Sequence, residues 1–258
     1  MAFSQFKLFA VFIIIFLLLE FFFPRKNSNR NNSNNWLVNF GLYIVFIICR
    51  PLSAPIILLL FSDIIYYQPL GLWDTLPTVF TLLISILFID LFTYWQHRVF
   101  HFSTLLWRCH LVHHSDTEMN VSTNFRHHPF EVIATSVFTT LFLYLLKLPE
   151  FILIIYFFLA TAISLWHHSD IKNCILLEKL LQPIFITPEI HRLHHSSNPQ
   201  ERNSNYGMVF SFWDKLFSSY TTPEYTNSDI EFGLEYFRAS EDKKFINVLL
   251  QPKRYGKK

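Results

Sequence analysis

The sequence predicts an all-α, polytopic membrane protein with about four transmembrane helices and a histidine-rich cap on one membrane face. Three observations carry this. The chain has 258 residues, of which 52% are hydrophobic and 16% charged, whereas soluble domains carry roughly 25% charged residues. The apolar residues come in long runs rather than in alternation, which is the pattern of spans. All twelve histidines lie between His97 and His195, so the polar chemistry is concentrated where the apolar runs end. Thirty phenylalanines against five glycines fit the same class.

The elements follow in order. Leu8 to Phe23 is nearly unbroken apolar sequence. Its basic flank is thin (Lys7 alone) and no small-residue cleavage site follows, so it reads as a retained anchor rather than a signal peptide. An asparagine-rich linker runs to Asn35. Trp36 to Ile65 is interrupted by Arg50-Pro51. Proline removes a helical hydrogen bond, so this stretch is one kinked span or two half-spans. Leu76 to Trp95 has about the ~20 residues that cross a bilayer. Phe130 to Leu148 and Pro149 to Trp166 read as a helical hairpin broken at Leu148-Pro149.

Orientation follows from lysine and arginine alone. Arg25, Lys26 and Arg30 assign the first linker to the cytoplasm, whereas Ser62 to Pro77 carries no basic residue. Arg98, Arg108 and Arg126 mark the loop after the third span as cytoplasmic, and twelve of the 21 basic residues follow His167. All five histidine groups then fall on the cytoplasmic face, although no histidine entered that assignment. The net charge of +2 gives no footprint for nucleic acid. Cys49, Cys109 and Cys174 are scattered and form neither a disulfide framework nor a thiolate metal site.

His97 and His101 are four residues apart at the end of the third span, which places them on one helical face with Cβ atoms roughly 5–6 Å apart. His110, His113 and His114 share a side in the same way, and His191, His194 and His195 repeat that HxxHH spacing. Burying so many imidazoles without a metal would leave many nitrogens in need of partners. Imidazole suits zinc, copper, iron and nickel. A tetrahedral zinc needs four ligands, so eight candidates fit two metals with open positions, and no HExxH pattern is present. Asp90 lies two turns before His97. It either accepts the second ring N–H of a ligating histidine or pairs with another polar group for packing.

The boxes HxxxH, HxxHH and a late HxxHH after a membrane hairpin resemble those of the fatty acid hydroxylase/sterol desaturase superfamily. Asp90 with Tyr94–Arg98, Arg126–Pro129 with Glu131, Trp166–Asp170, Thr187–His191, Asn205–Gly207 and Trp213–Phe217 resemble its other motifs. The resemblance runs from about Thr81 to Tyr220 and leaves the first 75 residues uncovered. It suggests three regions: an N-terminal membrane region with its linker (1–75), a hydroxylase-like domain (76–221) and a basic C-terminal tail (222–258). It implies metal ligands at His97, His101, His110, His113, His114, His168, His191, His194 and His195. His128 is either a ligand or the residue that orients one. His127 reads as peripheral, and His167 as an added neighbour that is either a surface hydrogen-bonding residue or a further residue that binds or orients at the metal. Asp170 would accept a ligand N–H.

What the resemblance implies is two iron ions, O2 as co-substrate, and hydroxylation or desaturation of an unactivated C–H bond of a membrane lipid or sterol. The electrons would come from a separate donor, cytochrome b5-like or a ferredoxin, since the sequence has no GxGxxG fingerprint and no fused haem or iron–sulfur motif. Lys215, Lys243 and Lys244 could dock such a donor, or simply follow the positive-inside bias. The compartment would be the endoplasmic reticulum in a eukaryote or the inner membrane in a bacterium. Two other readings compete. A zinc-dependent lipid hydrolase would use Glu189, Asp170 or Glu131 as base, but needs fewer ligands. A non-enzymatic metal-binding protein or transporter would place its ligands near the midplane, not at span ends.

Overall fold

The structure, a computed structural model, describes residues 2–25, 33–66, 72–172, 174–223 and 230–256. Lys26, Arg30, most of the asparagine-rich linker and Lys257-Lys258 lie outside the described residues.

The apolar runs form helices, and four segments are long and apolar enough to cross a membrane: Asn35–Phe61, Thr78–Phe102, Pro129–Leu146 and Glu150–His168. Helix α1 (Ala2–Phe22) carries a shorter apolar segment, Ala10–Phe22. Its Phe12, Ile13, Phe16 and Leu17 pack against Val121, Phe125 and Leu165. Helix α2 (Ser33–Cys49) gives way to a 3-10 turn at Arg50–Leu52 and resumes as α3 (Ser53–Tyr66). Pro51 cannot supply a helical N–H. Ser53 Oγ donates to the Arg50 carbonyl at 2.8 Å, within the turn itself. Both α2 and α3 pack on the same later helix (α7, below), so this stretch is one kinked span rather than two half-spans folded on each other.

After a single turn, α4 (Leu72–Thr75), comes α5 (Thr78–Phe102), 25 residues long. At 1.5 Å per residue it is about 37 Å long, more than the ~30 Å hydrocarbon core. Its last turns, which carry His97 and His101, therefore project at one face. Ser103 turns the chain and caps α6 (Thr104–His114), its hydroxyl accepting from Leu106 N. Helix α7 (Pro129–Leu146) starts at Pro129, with His128 Nδ1 accepting from Phe130 N. It ends at Lys147 in the left-handed region (φ 49°). Pro149 follows and opens α8 (Glu150–His168), so the hairpin break falls where the sequence placed it.

Short helices close the cap: α9 (Ile175–Leu181), α10 (Pro188–His194), α11 (Pro199–Arg202), α12 (Phe212–Leu216), α13 (Phe245–Leu249) and α14 (Gln251–Arg254). One buried carboxylate pins this cap to the spans and a second braces the cap within itself. Asp90 of α5 accepts from Val209 N and Phe210 N, both at 3.1 Å, Trp213 Nε1 at 3.0 Å and Tyr156 OH at 2.9 Å. Asp214 accepts from Tyr206 N, Gly207 N and Ser219 Oγ at 2.7–2.8 Å.

The terminal regions join the same body. Asn35 and Asn39 of α2 donate to buried Asp116, and buried Arg126 donates to Asn39 Oδ1, Ser115 Oγ and the Val112 carbonyl. Leu234, Phe237 and Val248 of the C-terminal tail share a core with Trp107, Leu111 and Leu42. Glu20 at the end of α1 accepts from the amides of Val121 and Asp170, and Arg25 pairs with Glu189. That pair puts the foot of α1 on the same side as the last histidine box.

Candidate metal centre

Five elements converge on the site. The end of α5 brings His97 and His101, α6 brings His110, His113 and His114, the foot of α8 brings His168, and α10 with its C-cap brings His191, His194 and His195. The loop before α7 and its first turn add His127 and Glu131.

The imidazoles sort into two groups, each with ligand-capable atoms within 4.8 Å of one another: His97, His101, His110, His114 and His194, and His113, His168, His191 and His195. The groups adjoin, since the rings of His114 and His195 stack with centroids 4.5 Å apart. All nine candidates named from the sequence are here. His128 is not. Its Nε2 faces the Leu249 carbonyl at 3.2 Å and its Nδ1 caps α7, so it fastens the C-terminal tail to the start of that helix.

Partners fix which nitrogen of each ring carries the proton. His97 Nδ1 lies 2.9 Å from the Tyr206 carbonyl, His194 Nδ1 2.7 Å from that of Ser204, His168 Nδ1 2.8 Å from that of Ser164 and His113 Nδ1 3.3 Å from that of Arg126. His110 Nδ1 lies 2.8 Å from Glu131 Oε1. Carbonyls and carboxylates only accept, so each Nδ1 bears the hydrogen and each Nε2 presents a lone pair. These lone pairs then face one another. His97 Nε2 is 3.1 Å from His110 Nε2 and 3.0 Å from His194 Nε2, while His113 Nε2 is 3.3 Å from His168 Nε2. No proton is left to bridge such pairs. A cation between them removes the repulsion. Two imidazole nitrogens about 2.0–2.1 Å from one metal, at angles of roughly 90–109°, stand about 2.9–3.4 Å apart, which is the spacing found. Both nitrogens of buried His114, Nε2 of His101 and Nδ1 of His191 have no hydrogen-bond partner among the described residues. The donor set therefore fits metal ions.

Burial, and then neighbouring imidazoles, hold His113, His114, His191, His194 and His195 well below the ordinary histidine range. They are neutral near pH 7, the form that binds metal.

Several expectations change. Asp90 does not accept a ring N–H: its four hydrogen bonds go to the cap and to Tyr156. Two helical turns place it about 10 Å below His97, too far to reach that ring. Asp170 Oδ1 accepts from Arg192 Nη1 at 3.5 Å, which ties it to α10. His167 is not a surface residue. It is buried, stacks on His191 at 3.8 Å, and neither ring nitrogen has a partner among the described residues. His127 also belongs to the site, stacked on His113 at 4.9 Å and 3.0 Å from Glu131 Oε1. Glu131, whose carboxylate bridges His110 and His127, is the carboxylate that serves the ligands. Its spacing from His127 and its place in the segment that resembles a family motif were the sequence signals.

A cavity of about 470 Å³ opens onto both groups, reaching His97, His110, His113, His168 and His191. It extends between α2, α3, α5, α7 and α8, with Phe46, Phe100, Val132, Leu143 and Phe157 in its walls.

Fold and site together define a polytopic membrane protein built round two adjoining histidine cages beneath one cavity. Comparison with known proteins gives the family. The family model for fatty acid hydroxylase matches residues 82–219, and the chain belongs to that family. It is 28% identical to human alkylglycerol monooxygenase over 64% of this chain and 34% of that protein. It is 29% identical to the ornithine lipid hydroxylase of Rhizobium tropici over 72% of this chain and 54% of that protein, and 25% identical to human lathosterol oxidase over 60% and 48%. The aligned region is thus about a third of the alkylglycerol monooxygenases and about half of the other two. No solved structure matches the chain.

Proposed function

We propose that the protein is an O2-dependent oxygenase that hydroxylates or desaturates an unactivated C–H bond of a membrane lipid or sterol at a histidine-held di-iron centre. The observation that carries this is the pair of adjoining cages, five and four imidazoles, with Nε2 atoms converging at 3.0–3.3 Å. The relatives, named as a monooxygenase, a lipid hydroxylase and a sterol oxidase, support it.

His97, His101, His110, His114 and His194 would hold one ion, and His113, His168, His191 and His195 the other. When bound, the iron pair supplies the redox chemistry for activating O2. Hydroxylation balances as R–H + O2 + 2 e⁻ + 2 H⁺ giving R–OH + H2O. The electrons come from a separate one-electron carrier protein, cytochrome b5-like or a ferredoxin.

The chain's own residues supply position and exclusion. The Tyr206, Ser204, Ser164 and Arg126 carbonyls and Glu131 hold five Nδ1 protons, which aims the Nε2 atoms of His97, His194, His168, His113 and His110 inward. The aromatic and aliphatic cavity wall admits a lipid chain from the bilayer and keeps water away from it. The positive-inside bias puts the cages on the cytoplasmic face, where a soluble donor can reach them.

The test is metal content and Mössbauer spectra of detergent-purified protein grown on 57Fe, compared with His194→Ala. Two irons per chain with a coupled signal, lost in the variant, is the expected result. Tightly held zinc that iron cannot replace, with no redox-active species under reduction, would refute the reading in favour of a hydrolase.

A further inference from the structure

Arg50 is the one cation in the span Asn35–Phe61 and sits close to its middle. It belongs to the part of the chain outside the match at 82–219. An ionisable residue inside a span is costly and marks a functional site or a partner. Among the described residues no carboxylate forms an ion pair with its guanidinium. Instead Arg50 lines the cavity that leads to the histidine cages.

The wall shared with α7 is polar where a bilayer span need not be. Thr135, Ser136, Thr139 and Thr140 all line the cavity, between Val132 and Leu143. Their spacing of three and four places them on one helical face. Ser53, one turn after Arg50, lines it too. From Val132 to Leu143 this face is about 16 Å long at 1.5 Å per residue. A cavity for a wholly apolar chain would need neither the hydroxyl stripe nor a guanidinium. A planar guanidinium with free donors matches carboxylate and phosphate oxygens.

We propose that the cavity takes a lipid with an anionic carboxylate or phosphate group, held by Arg50 and the α7 hydroxyl stripe while its hydrocarbon chain lies toward the histidine cages. This names the substrate class of the proposed oxygenase and rests on that reading only for the fate of the chain. It excludes a neutral sterol as the preferred occupant.

The test uses the iron-loaded full chain in a non-ionic detergent and three probes with one chain length: palmitate, hexadecyl phosphate and hexadecanol. Binding is read by calorimetry or tryptophan fluorescence. The wild type is expected to bind at least one anionic probe about tenfold or more tightly than hexadecanol. Arg50→Gln is expected to abolish that preference and to leave hexadecanol affinity unchanged. A preference for palmitate alone identifies a free carboxylate, and one for hexadecyl phosphate alone a phosphate headgroup; either supports the proposal. A preference that survives Arg50→Gln overturns it. Hexadecanol binding as tightly as both anionic probes to the wild type overturns it even if the variant does not fold. Metal content measured on the same samples separates the two readings. An anion preference in protein that holds only zinc refutes the oxygenase and leaves the headgroup site standing. Di-iron protein without the preference does the reverse.

Discussion

Asp90→Asn tests how the cap is held over the cages. In the wild type, Oδ1 accepts from Tyr156 OH and Val209 N, and Oδ2 accepts from Phe210 N and Trp213 Nε1. The amide keeps one acceptor oxygen and puts an NH2 against the other two donors. Two buried donors are then left without partners, at about 1–3 kcal/mol each, so roughly 2–6 kcal/mol is lost. That is a large share of the 5–15 kcal/mol of a typical domain. The loss falls on the irregular segment that follows Tyr206, whose carbonyl orients His97. Asp90→Asn should therefore lower both thermal stability and metal content, although Asp90 touches no imidazole. The assay is thermal unfolding in detergent together with metal stoichiometry on the same preparation. A variant that unfolds within about 1 kcal/mol of wild type and carries a full metal complement would refute the pinning role.

Glu131→Gln leaves no anion for the Nδ1–H of His110 and His127, and metal affinity should fall by roughly 10–100-fold, read by competition with a chelator. Gly207→Ala should destabilise by about 1–3 kcal/mol. A Cβ there would meet the Phe210 carbonyl at 2.6 Å and Ile186 at 2.8 Å, and circular dichroism melts would show it. The metal-free protein should lose stability on acidification. His113, His114, His191, His194 and His195 are held below their unfolded value near 6.5, so the unfolded chain takes up protons first. Stability is then full above pH ~6.5 and falls below it, by up to about 1.4 kcal/mol per histidine at pH 5.5. Denaturant midpoints from pH 8 to 5.5 test this; a flat profile would contradict the burial of neutral imidazoles.

The parts of the fold that depend on bilayer physics were legible. Spans need length and apolarity, and all four follow the apolar runs, with breaks at Pro51 and Pro149. The eight box histidines were legible too, because spacings of three and four fix a common helical face before any tertiary contact exists; His168 came from the family resemblance alone. The assignment of His110 and His114 to one cage and His113 to the other was not. Adjacent side chains on a helix diverge by about 100°, so His113 and His114 must point to different centres, but which partners meet them depends on how α5, α8 and α10 pack.

The residues that misled are those whose partner comes from far away in sequence. Of the two readings of Asp90, as partner of His97 or as a packing group, the second holds: three of its four donors come from residues 209–213, more than a hundred positions later, and the fourth is Tyr156. His167 looked like a polar tail to the box at His168, yet packing slides it under His191. The tautomers were the least legible feature of all. Four of the five Nδ1 protons are held by backbone carbonyls, and every residue has a carbonyl. No side-chain pattern encodes which carbonyl faces which ring. The same protons turn a cluster of histidines into a set of lone pairs aimed inward. The sequence can therefore announce that metal-binding groups are gathered, while the case that they need a cation rests on backbone geometry that only the folded chain supplies.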